Sequence, residues 1–218
     1  MPLSKIHSEK IYNITTNLSG ELIREIAQAL ADNQFIIGPT DTLYGIVARA
    51  DRPVAVEKIF AAKNRRPEFA LPLIATDITQ VQRFAYMSAK ETALAERFWP
   101  GPLTLVLQHR ESSPVCDACM ENGTLAIRVP DNTFCRSLAE ACGTLLTATS
   151  SNLSGEPPAE TVDMIHPHLA EAVNYIIDVG QSEHKTPSTI VKFNGTKLAC
   201  LRQGPISLDE IRQTLGHD

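Results

Sequence analysis

The 218-residue sequence has no run of apolar residues long enough to cross a bilayer, and residues 1–7 lack the apolar core of a secretory signal. Both absences predict a cytoplasmic protein with no membrane partner. Neither a G-x-x-x-x-G-K-[ST] loop nor a G-x-G-x-x-G turn is present. The sequence therefore predicts neither a P-loop nor a dinucleotide-binding fingerprint.

Cysteine is scarce and odd in number, with five residues in the chain. A chain of this length does not need disulfide staples, so we expect reduced thiols. Cys116 and Cys119 form a lone C-x-x-C in a predicted loop, whereas a structural zinc needs two further ligands and a redox pair normally opens a helix. We interpret them as incidental thiols, with metal or redox use as the alternative. Cys135, Cys142 and Cys200 are expected to be small core residues.

The chain carries a formal net charge of −5, which argues against a general nucleic-acid coat. Any contact with nucleic acid must then come from a local patch, or from a small nucleotide held in a cleft. Hydrophobic residues make up 43% of the chain, enough for a sizeable core. No internal repeat, low-complexity linker or domain boundary stands out, so we predict a single domain over residues 1–218.

Apolar periodicity predicts helices and strands that do not alternate strictly. The predicted helices cover residues 20–32, 53–63, 90–98, 132–142, 160–171 and 206–215, the last with a Ser207 cap. The predicted strands cover 35–37, 43–48, 72–75, 103–107, 125–129, 145–149, 175–179, 189–191 and 198–201. This order indicates an α/β (α+β) fold, a twisted mixed β-sheet flanked by helices, and not a Rossmann doubly wound sheet.

Cations are concentrated at the predicted end of the second helix, in Lys63-Asn64-Arg65-Arg66. Lys63 follows Ile59 and Phe60 at helical spacing, so it continues their buried stripe and should point toward the protein body or a cleft edge. Arginine suits bidentate contact with phosphate or carboxylate, and lysine acts as a movable point charge. The alternative is a solvated helix end, where cations favour the helix dipole.

Two polar turns follow apolar runs. The turn from Thr149 to Gly155 suits phosphate or ribose at the end of a strand, or it caps the next element. The turn Thr40-Asp41-Thr42 could place two hydroxyls against a polar ligand, or it satisfies its own backbone. A strand arginine, Arg128, lies on the face opposite its apolar neighbours, although a lone arginine in a strand is usually a surface residue. Together these stretches predict an enzyme that handles anions.

Six ordered segments of the chain resemble the YrdC/Sua5 family of L-threonylcarbamoyladenylate synthases, over about residues 22–206. They are Pro39–Gly45, Ile59–Arg65, Phe98–Thr104, Ala126–Pro130, Thr149–Gly155 and Pro187–Val191. The resemblance implies a YrdC-like fold that joins L-threonine, bicarbonate and ATP, with Mg²⁺, into threonylcarbamoyl-AMP and pyrophosphate. It implies a role in tRNA N6-threonylcarbamoyladenosine formation, with a downstream threonylcarbamoyl-transferase machinery as partner and tRNA or double-stranded RNA as a further possible ligand.

The resemblance also assigns site residues. The family's Lys-x-Arg and Ser-x-Asn set falls on Lys63, Arg65, Ser150 and Asn152, which become the predicted catalytic residues. Threonine is assigned to Thr42 and Arg128, with Arg128 pairing its carboxylate. The nucleotide is assigned to the residues Lys63, Arg65, Thr149, Ser150, Asn152, Ser188 and Arg202. No protein metal site and no covalent nucleophile is predicted.

The chain departs from the family pattern at Phe69 and Ala70, which stand where a polar residue and its proline are common. One expected nucleotide contact is therefore missing. The sister branch of YciO-like proteins tends to lose parts of the Lys-x-Arg and Ser-x-Asn set, so its retention here favours the synthase. The alternatives are a YciO-like protein that binds double-stranded RNA or tRNA without synthase activity, and a related carbamoyl-transfer or ATP-hydrolysing enzyme.

Overall fold

The computed structural model describes residues 8–14, 18–64, 70–181 and 186–216. Its helices are α1 (Gly20–Ala31), α2 (Pro53–Lys63), α3 (Ile78–Phe84), α4 (Ala89–Phe98), α5 (Thr133–Cys142), α6 (Pro167–Glu171) and α7 (Leu208–Thr214). Its first strands are β1 (Ile11–Asn13), β2 (Ile36–Gly38), β3 (Gly45–Val47), β4 (Leu73–Ile74), β5 (Ala85–Tyr86) and β6 (Leu103–His109). The others are β7 (Thr124–Arg128), β8 (Leu146–Thr147), β9 (Thr149–Ser150), β10 (Ile176–Asp178), β11 (Thr189–Asn194) and β12 (Lys197–Arg202).

The structure confirms the predicted helices α1, α2, α4, α5 and α7 to within a few residues. Ser207 caps α7 as expected, in a reciprocal capping box with Glu210. The helix predicted over residues 160–171 is wrong in its first half, which forms a 3₁₀ turn, Val162–Met164. Pro167 cannot donate to a preceding turn, so the α-helix begins there.

Sequence analysis missed three short elements, namely β1, β5 and α3. Helix α3 is seven residues long, too short to show an apolar period. Its start carries a local signal, because the Asp77 carboxylate accepts a hydrogen bond from the Gln80 backbone N–H at 2.7 Å. None of the helices in the described residues is both long enough and apolar enough to span a membrane.

Within the described ranges the strands form two mixed sheets flanked by helices, which confirms the predicted fold class. The first sheet has the order β1-β10-β2-β3-β9, and the second has the order β12-β11-β6-β7-β4-β8 with β5 beside β6. The stretch predicted as one strand over 145–149 divides between them. Thr147 of β8 pairs with Leu73 in the second sheet, and Thr149 of β9 pairs with Ile46 in the first. The chain therefore crosses between the sheets at Ala148.

Strand alternation divides the second sheet into an apolar face and a polar face. Leu105 of β6 and Ile127 of β7 are opposite each other and at most 1% exposed. Arg128 lies on the other face, as the sequence pattern predicted. The polar face is therefore free to line a cleft while the apolar face packs in the core.

A turn after β12 requires glycine. The Thr189 hydroxyl is fully buried, donates to the Ile206 carbonyl and accepts from the N–H groups of Gly204 and Ile206. These bonds bring Gly204 against the segment before β11. A Cβ atom on Gly204 would lie 2.4 Å from both the Pro187 carbonyl oxygen and the Thr189 nitrogen.

We expect Gly204→Ala to destabilise the fold, because the added methyl group must displace backbone atoms. Overpacking of this kind typically costs about 1–3 kcal/mol, and for a chain of this size each kcal/mol lowers the melting temperature by roughly 2–4 °C. Thermal unfolding followed by circular dichroism measures the change. Gly20→Ala is the control, since a Cβ there meets the Arg24 side chain at an ordinary 3.6 Å. Equal melting temperatures for the two variants would contradict the prediction.

Candidate active site

A cleft of about 580 Å³ is lined by residues of both sheets. Strands β6, β7, β11 and β12 of the second sheet form one wall, and the segment before β3 together with β9 forms the other. Its lining includes the predicted site residues Thr42, Arg128, Thr149, Ser150, Ser188 and Arg202. Six positions between 42 and 202 in the chain therefore meet in one hollow.

Lys63 lies at the C-terminal end of α2 and is 2% exposed. Its ammonium donates to the backbone carbonyls of Ser150 and Asn152, the latter at 2.6 Å, and to the Asn152 side-chain oxygen at 3.3 Å. The Ser154 N–H returns a bond to the Lys63 carbonyl at 3.1 Å. The structure thus confirms that Lys63 points into the protein, and the alternative of a solvated helix end is wrong for it.

The bend of residues 150–152 is also ordered from within. The Ser150 hydroxyl donates to the Asn152 side-chain oxygen, and the Asn152 amide donates to the Glu156 carbonyl. The buried Ser151 hydroxyl donates to the Tyr44 carbonyl at 3.0 Å. Ser150 lines the cleft, so the contacts of Lys63 and Asn152 act on the cleft wall. Of the predicted catalytic residues, Arg65 lies outside the described residues, as does Phe69.

Arg128 extends from the end of β7 and pairs with Asp41. Its Nη1 donates to Asp41 Oδ1, and it lies 3.4 Å from the Thr42 hydroxyl. The side chains of Arg128 and Asp41 are 7% and 1% exposed, so the ion pair is buried. Sequence analysis placed Asp41 in a polar turn but missed it as the partner of Arg128. The prediction that Arg128 binds the threonine carboxylate stays a prediction.

The turn of residues 40–42 satisfies its own backbone, which was the second of the two alternatives. The Thr40 hydroxyl accepts from the N–H groups of Thr42 and Leu43 and donates to the Leu43 carbonyl at 2.8 Å. It also lies 2.9 Å from the Thr42 hydroxyl. Both threonines line the cleft, and contact of their hydroxyls with a polar ligand stays a prediction.

Arg202 and Ser188 are joined directly at the other end of the cleft. Arg202 Nε donates to the Ser188 carbonyl at 2.9 Å, and Nη2 donates to the Ser188 hydroxyl at 3.1 Å. Ser188 in turn shares a 2.7 Å hydrogen bond with the hydroxyl of Thr104. Burial lowers the pKa of Arg202, and electrostatic repulsion from Arg128, which lies on the same wall, lowers it further. A bound anion would relieve this repulsion.

Several cleft residues were not among the predicted site residues. They include Tyr44, Thr104, Glu121, Asn122 and Lys192. Thr104 could have been found, because it lies between the core residues Leu103 and Leu105 on the predicted strand 103–107, whereas Lys192 lies one position beyond the predicted strand 189–191. The Tyr44 phenol is fully buried and donates to the Gly180 carbonyl at 2.8 Å. Burial raises the pKa of Tyr44.

Comparison with known proteins identifies a family and relatives that are similar to this chain in sequence. The Sua5_yciO_yrdC family model, described as telomere recombination, matches residues 28–204. A relative from Methanocaldococcus jannaschii, named a putative threonylcarbamoyl-AMP synthase, is 31% identical over 202 residues, which cover 93% of this chain and 95% of that protein. A threonylcarbamoyl-AMP synthase from Bacillus subtilis is 32% identical over 197 residues, and the match spans 56% of its length.

Solved structures of proteins named Sua5 and YciO are also similar to this chain. The crystal structure of Pyrococcus abyssi Sua5 complexed with L-threonine superposes with a TM-score of 0.84 at 31% identity, covering 95% of this chain and 61% of that one. The E. coli YciO structure superposes with a TM-score of 0.82 over 93% of this chain and 99% of that one. Its identity is 22%, so that likeness supports the fold alone.

The C-x-x-C pair lies outside the cleft lining and supports the core. Cys119 is fully buried in a 3₁₀ turn, and the Cys116 N–H donates to the Ala50 carbonyl at 2.8 Å. The Ala118 carbonyl accepts from the Leu71 N–H at 3.1 Å. Burial raises the pKa of both thiols, for Cys116 to about 11. This environment disfavours the thiolate that redox or metal chemistry uses.

We therefore expect Cys116 to be alkylated slowly in the folded protein at pH 7.5. Because the thiolate is the reactive form, the rate should rise about tenfold per pH unit until the pH approaches 11. An ordinary thiol would level off near its pKa of about 8.5. Peptide mass spectrometry after timed iodoacetamide treatment measures the rate, with the urea-unfolded chain as the control. Rapid labelling of folded Cys116 at pH 7.5 would contradict this.

Proposed function

The chain belongs to the Sua5/YciO/YrdC family, and we propose that it makes threonylcarbamoyl-AMP from L-threonine, bicarbonate and ATP, with release of pyrophosphate. The observation that carries the proposal is the convergence of two arginines, Arg128 and Arg202, with the bend that Lys63 holds. Synthase names among the relatives, and the L-threonine in the P. abyssi Sua5 structure, support it. The cleft is large enough to be a small-molecule site.

The proposed chemistry brings several anions together. The neutral amine of threonine attacks the carbon of CO₂ and gives a carbamate with release of one proton; when bicarbonate is the carbon source, a water molecule leaves instead. A carbamate oxygen then attacks the α-phosphorus of ATP, and pyrophosphate leaves. Each step gathers negative charge in one place, so fixed cations and hydrogen-bond donors supply most of the catalysis by position and electrostatic field. No side chain needs to form a covalent intermediate.

Threonine is proposed to lie near Thr42 and Arg128. The hydrogen bonds of Arg128 to described residues use one nitrogen, Nη1. A guanidinium carries five N–H donors in a planar fork, so the remaining edge can pair with the carboxylate of the amino acid. The nucleotide is proposed to lie on the side of Ser188 and Arg202, where burial and then the charge of Arg128 lower the pKa of the Arg202 guanidinium.

Lys63 is proposed to act first through the bend. Its ammonium donates hydrogen bonds to the carbonyls of Ser150 and Asn152, and so holds the part of the cleft wall that would face the phosphates. Lys63 also places a buried positive charge behind that wall. Direct contact of Lys63 and Arg65 with carbamate and α-phosphate oxygens stays a prediction. The missing nucleotide contact expected at Phe69 and Ala70 also stays a prediction, although Ala70 does line the cleft.

Mg²⁺ is proposed to enter with ATP. Among the described residues, no group of three or more His, Cys, Asp or Glu side chains is arranged to hold a metal, and Glu121 is the acidic side chain of the described cleft lining. Mg²⁺ commonly keeps several waters and binds through substrate phosphates with one or two carboxylates. The residues are therefore compatible with an ion held largely by the pyrophosphate oxygens, whose charge it neutralises as they leave.

The product is proposed to supply tRNA N6-threonylcarbamoyladenosine formation through a separate threonylcarbamoyl-transferase machinery. Direct binding of tRNA or double-stranded RNA, and the cytoplasmic location, stay predictions. The non-enzymatic YciO-like alternative is less well supported, because the synthase-named relatives exceed 30% identity and YciO does not. Pyrophosphate release separates the two: RNA binding with steep salt dependence and no pyrophosphate would select the alternative.

The function is tested by mixing the protein with ATP, Mg²⁺, labelled bicarbonate and L-threonine. We expect pyrophosphate and a labelled adenylate in equal amounts, and neither product when threonine is left out. Replacing threonine with other amino acids separates the synthase from a general carbamoyl-transfer enzyme. Pyrophosphate or phosphate release that does not depend on threonine would contradict the proposal and indicate an ATP-hydrolysing enzyme.

Lys63→Ala should remove most of the turnover. The change deletes a buried cation and leaves two backbone carbonyls without their donor, which typically costs about 1–3 kcal/mol for each buried group. We expect kcat/KM to fall by roughly 100-fold or more, as when an electrostatic contact to the transition state is removed. Lys58→Ala is the matched control, since Lys58 lies on the same helix and bonds the Asn33 carbonyl at the surface.

Arg65→Ala, assayed in parallel with Lys63→Ala, tests the second predicted catalytic cation, which lies outside the described residues. Full activity in both Lys63→Ala and Arg65→Ala would discard the catalytic assignment. A loss as large in Lys58→Ala would mean that α2 responds to any change of charge.

A further inference from the structure

Asp41 is a buried carboxylate beside the cleft to which the proposed reaction gives no role. Its side chain is 1% exposed. One oxygen, Oδ1, accepts from Arg128 Nη1, and the other, Oδ2, accepts from the backbone N–H of Asp131 at 3.3 Å. Both oxygens are therefore engaged, one by Arg128 at the end of β7 and the other by Asp131, three residues farther along the chain.

These contacts join the two sheets on either side of the cleft. Asp41 belongs to the connection between β2 and β3 of the first sheet, whereas Arg128 ends β7 of the second. Each side is held independently. The Thr40 hydroxyl accepts from the Thr42 N–H at 3.1 Å, and Arg136 donates to the Pro130 carbonyl at 3.0 Å. The Asp41 carboxylate thus connects two hydrogen-bonded segments, and Arg128 Nη1 lies 3.4 Å from the Thr42 hydroxyl.

Arginine is a long side chain with many rotamers, and a site that must order it on binding loses affinity. The pairing with Asp41 removes that freedom before a ligand arrives. It occupies Nη1 and leaves the other edge of the fork for a second planar anion. We propose that Asp41 is a positioning residue, which orients the Arg128 guanidinium to receive the carboxylate of the amino-acid substrate. The inference rests on the proposed function, since it takes L-threonine as that substrate.

The test is Asp41→Asn, assayed by pyrophosphate release with L-threonine and with L-threoninamide, in which an uncharged amide replaces the carboxylate. We expect the KM for L-threonine to rise by about tenfold or more, the size expected for one charge-assisted bidentate contact. The KM for ATP should change by less than about twofold, because the nucleotide is assigned to the other end of the cleft. The preference for L-threonine over L-threoninamide should fall by the same factor as the rise in the threonine KM.

Asp51→Asn is the matched control. Asp51 accepts two hydrogen bonds from Arg49, at 2.9 and 2.7 Å, and their side chains are 15% and 17% exposed. Neither residue lines the cleft. The control removes the same charge from the same kind of pair, so a general loss of stability would appear in both variants. We expect Asp51→Asn to keep the wild-type KM for L-threonine and the wild-type preference over L-threoninamide.

The change in the KM for L-threonine, divided by the change in the KM for ATP, distinguishes a positioning role of Asp41 from a merely structural one. The inference is overturned if Asp41→Asn leaves the KM for threonine unchanged, or if it changes the KM for threonine and the KM for ATP equally. In either case, threonine-dependent turnover by the wild-type chain still supports the proposed function. If circular dichroism shows that Asp41→Asn is unfolded, Asp41→Glu is judged by the same ratio. Glutamate keeps the negative charge but moves it by one methylene group, so we expect a smaller rise in KM, seen for L-threonine and not for ATP. A wild-type chain without threonine-dependent pyrophosphate release overturns the proposed function and the inference together.

Discussion

The buried ammonium of Lys63 fixes the arrangement on which the cleft depends. A lysine is rarely buried without partners, because the charge loses its hydration. Here backbone carbonyls of the 150–152 bend replace the water, so the end of α2 and the end of β9 cannot separate without exposing an unpaired charge. Just before this bend the chain crosses from the second sheet to the first at Ala148. One ion thus secures the point where the two walls meet.

The two arginines of the cleft are also stabilised by protein groups in place of water. Arg128 is neutralised by Asp41 within the wall, whereas Arg202 binds Ser188 through neutral oxygen atoms. The cleft therefore combines a paired guanidinium with one whose pKa is lowered by burial and by its neighbour's charge. An anionic ligand gains most where the cations are held in place but not fully compensated. The net charge of −5 for the whole chain gives no hint of this local excess.

Local periodicity was enough to predict most elements of the fold. The buried stripe that ends in Lys63 and the alternation that exposes Arg128 on the polar face both follow from the geometry of one helix and one strand. The partition of residues 145–149 between two sheets could not be predicted, because an apolar run does not specify its hydrogen-bonding partner. The pairing of Arg128 with Asp41 spans 87 positions and carries no local pattern. The resemblance supplied the residues of the site, and tertiary structure alone supplied the contacts between them.

The burial of the Tyr44 phenol bears on where the acid–base chemistry must reside. Its raised pKa keeps the hydroxyl protonated, so its bond to the Gly180 carbonyl persists through the physiological range. Histidine is the side chain that most readily titrates near neutrality, and the described residues of the cleft lining include none. The described lining thus offers fixed cations and hydroxyl groups, together with the carboxylate of Glu121. The incoming amino acid adds a proton-dependent step of its own, because its ammonium must lose a proton before its nitrogen becomes a nucleophile.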